Sequence, residues 1–302
     1  MEIIPFFAPV NYEDSIDLNK KTIDKIALID ADRYKYLATH TMYKKLMEEG
    51  ERHTTGLLNE IIDSYLSRDI FDCFEAKAYI FCFSAPSSKV FRTAIAQEKK
   101  YKGNRKSDDP YFYTNKYEDM AYVFEYINSR YQTLFFDDLE ADDILSMLQR
   151  EETFIFSHDK DLKQVPGWHW DMNKYDIYHI TEEEGFVTLL KQILTGDPTD
   201  NFGGLRGFGA KALENFEEKI KVDSMKAEHI VYHVMKLYTD KYGILKGFDT
   251  FVEMWQLASM KINRGDYFQD KYAKAFFLIN KLCNDNNAEP DSNVENKTFV
   301  SL

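Results

Sequence analysis

Carboxylates fall in four short groups along the chain: Asp30 with Asp32, Glu140 with Asp142 and Asp143, Asp159 with Asp161, and Asp197 with Asp200. The first three follow short apolar runs (Lys25 to Ile29, Thr133 to Phe136, Thr153 to Phe156), and the fourth precedes a glycine-rich stretch. Carboxylates a few ångström apart repel and raise one another's pKa. Brought together in space, such a set is stable only with cations, and an all-oxygen donor set selects Mg2+ or Mn2+ over zinc. Two such ions, roughly 3.5–4 Å apart, clamp the attacking and leaving oxygens of an in-line phosphoryl displacement. The chemistry expected is therefore phosphodiester hydrolysis. A lone Asp-x-Asp is ordinarily a turn or a helix cap, and Asp137 with Asp138 is read that way. Four groups at strand ends or a glycine turn are harder to dismiss.

A basic counterpart lies between the first two groups. Lys99, Lys100, Tyr101, Lys102, Gly103, Asn104, Arg105 and Lys106 follow one another, after an aromatic–cation pair at Phe91-Arg92. Lys and Arg supply the charge-assisted donors that phosphate needs, and a tyrosine among them can stack on a base. A solvated basic loop is the plain alternative. A second candidate is the turn Gly203-Gly204-Leu205-Arg206-Gly207-Phe208-Gly209-Ala210-Lys211. Its glycines would let a backbone approach phosphate, and the helix it opens would present free N–H groups. The plain alternative there is a tight turn between packed helices.

These side chains need a scaffold that gathers them. Lys25 to Asp30, Ala78 to Phe83, Thr133 to Phe136 and Thr153 to Phe156 read as short buried strands, and residues 54–76 carry apolar positions at helical spacing. Strands alternating with helices predict an α/β fold: a central, mostly parallel sheet flanked by helices, whose carboxyl edge would collect the acids. From about residue 181 the pattern turns helical. Thr181 and Glu184 form a capping box, Gly196 a stop, and the aromatic stripe Tyr232, Leu237, Tyr238, Phe248, Phe251, Trp255 is read as core.

The 302 residues suffice for one large domain or two ordinary ones. No apolar run reaches the ~20 residues of a membrane span, the start of the chain lacks the basic region of a signal peptide, and Cys73, Cys82 and Cys283 form no disulfide or metal pattern. The expectation is a cytoplasmic protein. A net charge of −13 argues, at first sight, against a nucleic-acid partner.

In order, Asp30, Tyr101-Lys102-Gly103-Asn104-Arg105, Glu140-Ala141-Asp142-Asp143, Ser157-His158-Asp159-Lys160-Asp161-Leu162 with Val165-Pro166-Gly167, and Gly196-Asp197-Pro198-Thr199-Asp200-Asn201-Phe202-Gly203-Gly204 resemble the 5′-nuclease superfamily. That superfamily holds flap endonucleases, the 5′→3′ exonuclease domain of bacterial DNA polymerase I, and phage 5′-exonucleases and ribonuclease H. The likeness runs over about residues 25–215 and is greatest to a phage-encoded member. It implies two Mg2+ ions, with Mn2+ able to substitute: one served by Asp30, Glu140, Asp142 and Asp143, the other by Asp159, Asp161, Asp197 and Asp200. It further implies that Lys102 and Arg105 contact the scissile phosphate at the base of an arch over residues 102–130, and that Tyr101 stacks near a terminal nucleotide. Residues 193–216 would be a helix–three-turn–helix motif that grips the duplex backbone through Gly204, Arg206, Gly207, Gly209 and Lys211, with K+ held by carbonyls. Arg92 joins the candidate nucleic-acid contacts. The implied organisation is an extension over 1–24, a nuclease domain over 25–180 and a helical domain over 181–302.

The resemblance implies a monomer that removes primers or 5′ flaps from DNA, and the RNA of RNA–DNA hybrids, in replication. Its partners would be DNA 5′ ends or flaps and replication proteins such as a single-strand-binding protein, in the host cytoplasm and away from membranes. One departure stands out: the superfamily's acid at the end of the second strand has no counterpart in Phe83-Ser84-Ala85-Pro86-Ser87-Ser88-Lys89. Asp32 is expected to replace it if the first strand continues. A PIN-like ribonuclease and a catalytically silent DNA-structure-binding protein are the alternatives. With nine acids assigned to metals, 42 of the 51 remain against 38 bases, so the distribution of charge says more than its total.

Overall fold

The computed structural model describes residues 16–17, 22–105, 111–222 and 227–261. Among the described residues seven strands form one sheet: β1 (Ile16–Asp17), β2 (Thr22–Asp30), β3 (Glu75–Phe83), β4 (Gln132–Phe135), β5 (Thr153–Ser157), β6 (Gly167–Asp171) and β7 (Asp176–Ile180). The order is β4-β3-β2-β5-β6-β7, with β1 pairing β2. Pairings from β4 to β6 are parallel, while β1–β2 and β6–β7 are antiparallel.

The two-residue period of the central strands sorts their side chains onto two faces. Ala27, Ile29, Phe81, Phe83, Phe154 and Phe156 face one core, shared with α1 (Asp32–Met47), α2 (Thr55–Leu66) and α4 (Lys116–Asn128). The alternate residues Leu28, Cys82 and Ile155 face a second core with α5 (Ala141–Leu148) and the 3-10 turn Asp161–Gln164. Two buried faces explain why these strands read as continuous apolar runs. A third core joins α6 (Glu182–Thr195), α7 (Ala210–Val222), α8 (Ala227–Tyr242) and α9 (Ile244–Ala258) to the short α3 (Phe91–Ile95). Tyr238, Phe251 and Trp255 of the aromatic stripe are buried there. No described helix is long and apolar enough to cross a membrane.

Several elements depart from the sequence reading. The sheet reaches into the stretch read as an extension, through β1 and the start of β2. The helix expected over 54–76 is α2 followed by a π-helical turn, Ser67–Phe71. From Lys116 the proposed arch is α4, a core helix that buries Val123, Tyr126 and Ile127 against α1 and α2; residues 106–110 lie outside the described residues. The hairpin β6–β7 and helix α1 were not anticipated. Helix α6 has the expected capping box and ends at Gly196.

Candidate active site

Parallel strands β2, β3 and β5 end side by side, and the first turn of α5 is fastened to that edge: the Ala141 N–H donates to Ser84 Oγ at 2.7 Å, just past β3. Asp30 closes β2 and is buried, accepting a hydrogen bond from Ser157 Oγ at 2.8 Å. The same Oγ accepts from the Asp159 N–H, and Asp159 Oδ1 accepts from the Asp161 N–H. Strand β5 thus hands its two following acids to the site through one serine. Glu140 caps α5 and, with Asp143, forms a capping box, which leaves Asp142 on the turn between them.

A cleft of about 100 Å³ opens here, lined by Glu140, Asp142, Asp159, Asp161 and Asp200 on the acidic side and by Lys102, Arg105 and Lys160 on the basic side. Leu257, Ala258 and Met260 close one wall. Lys102 bonds Glu140 and stands 3.6 Å from Asp200, while Arg105 reaches Asp200 at 3.3 Å. Lys102 adopts φ +53°, a left-handed conformation unusual for a side-chain-bearing residue, and its N–H is held by the Asp200 carbonyl at 3.0 Å. Asn104 and Asn201 staple the two loops together by bonding the carbonyls of Pro198 and Lys100.

Electrostatics divides the acids into two kinds. Burial, with Asp32 and Asp159 nearby, pushes the Asp30 carboxyl up to about 7. Burial, then Asp159 and Asp30, raises Asp142 well above the carboxylate range, and burial with Asp159 raises Asp161 to about 6. Glu140 and Asp197 go the other way. Burial alone would raise them, but Arg92 and Lys102 hold Glu140 below its ordinary value, and the Lys160 bond with the Thr199 N–H does so for Asp197. Among the described residues no three acids converge into a ready-made ligating cluster. Repelling carboxylates with only protein cations among them are expected to stand apart in this way. The donor set nonetheless fits a hard divalent cation: it is all carboxylate oxygen, and among the described residues neither Asp30 nor Asp142 accepts a hydrogen bond from lysine or arginine.

The structure reassigns several expected residues. Strand β2 ends at Asp30, so Asp32 does not share its strand face. It opens α1, where its carboxylate accepts from the Ser84 N–H at 3.2 Å and pairs with Lys35. Asp143 is fully buried with both oxygens taken by Arg92, and it does not line the cleft. Arg92, only 2% exposed, spends its guanidinium on Asp143, on Glu140 and on two backbone carbonyls at the wall of the cleft. Tyr101 is buried too, and its hydroxyl bridges Glu140 Oε2 and Asp200 Oδ2 at 2.8 and 2.7 Å. Asp197 is held by Lys160, Gln192 and the Thr199 N–H. Gly204 is buried at φ +61°, and a Cβ there would meet Gly196 N at 2.3 Å, so a chain crossing rather than phosphate requires this glycine. Arg206, Gly207, Gly209 and Lys211 are exposed around the start of α7.

Sequence reasoning missed Ser157, Lys160 and Gln192. The first two lay inside a quoted motif. Gln192, on α6, bonds Asp161 and Asp197 at 3.1 and 3.3 Å and carried no sequence signal.

Carboxylates thus gather at the carboxyl edge of a parallel sheet, faced by a lysine–arginine loop and walled by a helical unit. The chain belongs to the 5′-3′ exonuclease family: residues 25–189 match the model of its N-terminal resolvase-like domain. Among solved structures the chain is similar to the D15 protein of phage T5 co-crystallised with metal ions, with a TM-score of 0.56 and 16% identity over 86% of this chain and 97% of that one. It is also similar to the T5 D15 flap endonuclease in a pseudo-enzyme–product complex with DNA and metal ions, with a TM-score of 0.49 and 17% identity over 85% and 99% of the two chains. No curated protein matches.

Proposed function

We propose that the chain is a Mg2+-dependent, structure-selective 5′-nuclease that hydrolyses phosphodiesters near the 5′ end or flap of DNA, removing primers or flaps in replication. The observation that carries the reading is the set Asp30, Asp142 and Asp159: burial, and then like charge, raises Asp30 and Asp142 at the sheet edge where ligands bind, and Asp142 and Asp159 line the cleft beside Lys102, Arg105 and Lys160. Family membership and the fold shared with a T5 protein co-crystallised with metal ions support it.

Asp30, Glu140, Asp142 and Asp159 would hold one divalent ion between them, and Asp159, Asp161 and Asp200 a second. Bound there, the ions would neutralise the carboxylates and stabilise negative charge developing on the phosphoryl oxygens. Lys102 and Arg105 face the cleft on the loop that Asp200 anchors, and they meet the scissile phosphate as preorganised cations. Tyr101 fixes Glu140 relative to Asp200. Arg206 and Lys211, exposed around the N-terminus of α7, contact the duplex backbone; a K+ ion in the preceding turn belongs to the same reading.

The test is cleavage of 5′-labelled substrates with and without Mg2+: a 5′-flap duplex, a recessed RNA–DNA hybrid and single-stranded RNA. Mg2+-dependent release of short products from the flap duplex is expected. Cleavage of single-stranded RNA alone would instead indicate a PIN-like ribonuclease, and a mobility shift without cleavage a silent DNA-binding protein.

A further inference from the structure

Arg92 lies at the meeting point of the acidic edge and the helical unit. Its five guanidinium N–H groups are all engaged. Nη1 donates to Glu140 Oε2 at 2.9 Å and Asp143 Oδ2 at 2.6 Å; Nη2 donates to Asp143 Oδ1 and the Ser259 carbonyl, both at 2.8 Å; Nε donates to the Leu257 carbonyl at 3.0 Å. Two of these acceptors are backbone atoms at the end of α9 and just past it, about 165 residues away in sequence. Gln164 holds the same strap independently, donating to the Ala258 carbonyl at 2.8 Å and accepting from the Met260 N–H at 3.3 Å. The Lys261 N–H then donates to Asp143 Oδ1 at 3.1 Å. Leu257, Ala258 and Met260 meanwhile wall the cleft that Glu140 and Asp142 line.

We infer that Arg92 is a positioning residue that locks Glu140 and the first turn of α5 to the strap 257–261, so that the end of α9 completes the divalent-cation site. The inference rests on the nuclease reading above. Glu140 has two oxygens: Lys102 holds one, while Tyr101 and Arg92 hold the other. Of these three holders only Arg92 is also bonded to the strap, so it is Arg92 that couples the direction of Glu140 to the end of α9. A bidentate guanidinium bonded also to two carbonyls cannot be replaced by an ammonium, which has three donors on one atom. Outer contacts of this kind orient metal ligands, and their loss typically lowers metal affinity about 10–100-fold.

The experiment compares wild type, Arg92→Lys and Gln164→Leu, each as the full chain. Mn2+ binding is measured by electron paramagnetic resonance without DNA, fold by circular dichroism and melting, and kcat and KM on a flap duplex with Mg2+. Arg92→Lys is expected to melt cooperatively, to bind Mn2+ about 10–100-fold more weakly, and to lose kcat while KM for DNA stays within about twofold. Gln164→Leu should move the same quantities in the same direction by less. Wild-type Mn2+ affinity in a folded Arg92→Lys overturns the inference. Should Arg92→Lys fail to fold, wild-type Mn2+ affinity in Gln164→Leu overturns it instead. If wild type itself neither binds Mn2+ nor cleaves, the nuclease reading fails and takes this inference with it. If wild type does both and the variants match it, only the role of Arg92 fails.

Discussion

Asp30, Asp142 and Asp161 are carboxyls that their surroundings do not favour in charged form, and Glu140 and Asp197 are carboxyls that theirs do. Sequence spacing found both kinds, because each follows a strand end or borders a glycine turn. It could not separate them, because the difference lies in Arg92, Lys102 and Lys160, which approach from other elements. Burial acts in the opposite sense on a base. It lowers His169, whose Nε2 donates to the Val165 carbonyl at 2.8 Å, to about 4. The unfolded chain takes up a proton below about 6.5 while the folded imidazole stays neutral, so this group's stabilisation is present above pH 6.5 and is lost as pH falls toward 4. Between pH 7 and 4.5 wild type should therefore lose on the order of 2–3 kcal/mol that His169→Leu does not lose, measured by urea unfolding of both proteins at each pH. Parallel pH profiles would contradict the assignment.

At the scale of elements, the turn between α6 and α7 contains glycines of two sorts. Gly204 adopts φ +61° against the backbone of Gly196, whereas a Cβ added at Gly209 would meet no described atom within 4 Å. Gly204→Ala should cost roughly 2–4 kcal/mol, because it combines a strained backbone with a clash. Gly209→Ala should leave stability unchanged or raise it by up to about 1 kcal/mol. Thermal melts of the two variants check this, and equal effects would contradict it. Strands β2 to β5 were legible as short apolar runs, which the two buried faces of the central strands produce, and α6 because its capping box and Gly196 mark its ends. Helix α1 was not, because its buried positions, Tyr34, Ala38, Thr39 and Met42, mix polar and apolar types. The wall made by Leu257 to Met260 was invisible for a different reason: only tertiary packing brings it to Arg92 and Gln164.

For the whole molecule, the net charge of −13 no longer opposes a nucleic-acid partner. Acids concentrate where cations would neutralise them, and Lys102, Arg105 and Lys160 stand among them. DNA affinity should accordingly depend on divalent metal as well as on salt. At fixed ionic strength, replacing EDTA by Ca2+ should tighten binding of a 5′-flap duplex severalfold in fluorescence anisotropy. An unchanged dissociation constant would count against metals in the binding site.

On the proposed reading, the carboxylates at the sheet edge hold the cations of a phosphodiesterase. Single-turnover cleavage of a 5′-labelled flap duplex by wild type and Asp142→Asn, with Mg2+ titrated from zero, tests it most directly. Wild type should not cleave without Mg2+ and should cleave saturably with it, and Asp142→Asn should be slower by roughly 10²–10³-fold or more with DNA binding largely retained. Metal-independent cleavage, or undiminished cleavage by Asp142→Asn, would contradict it.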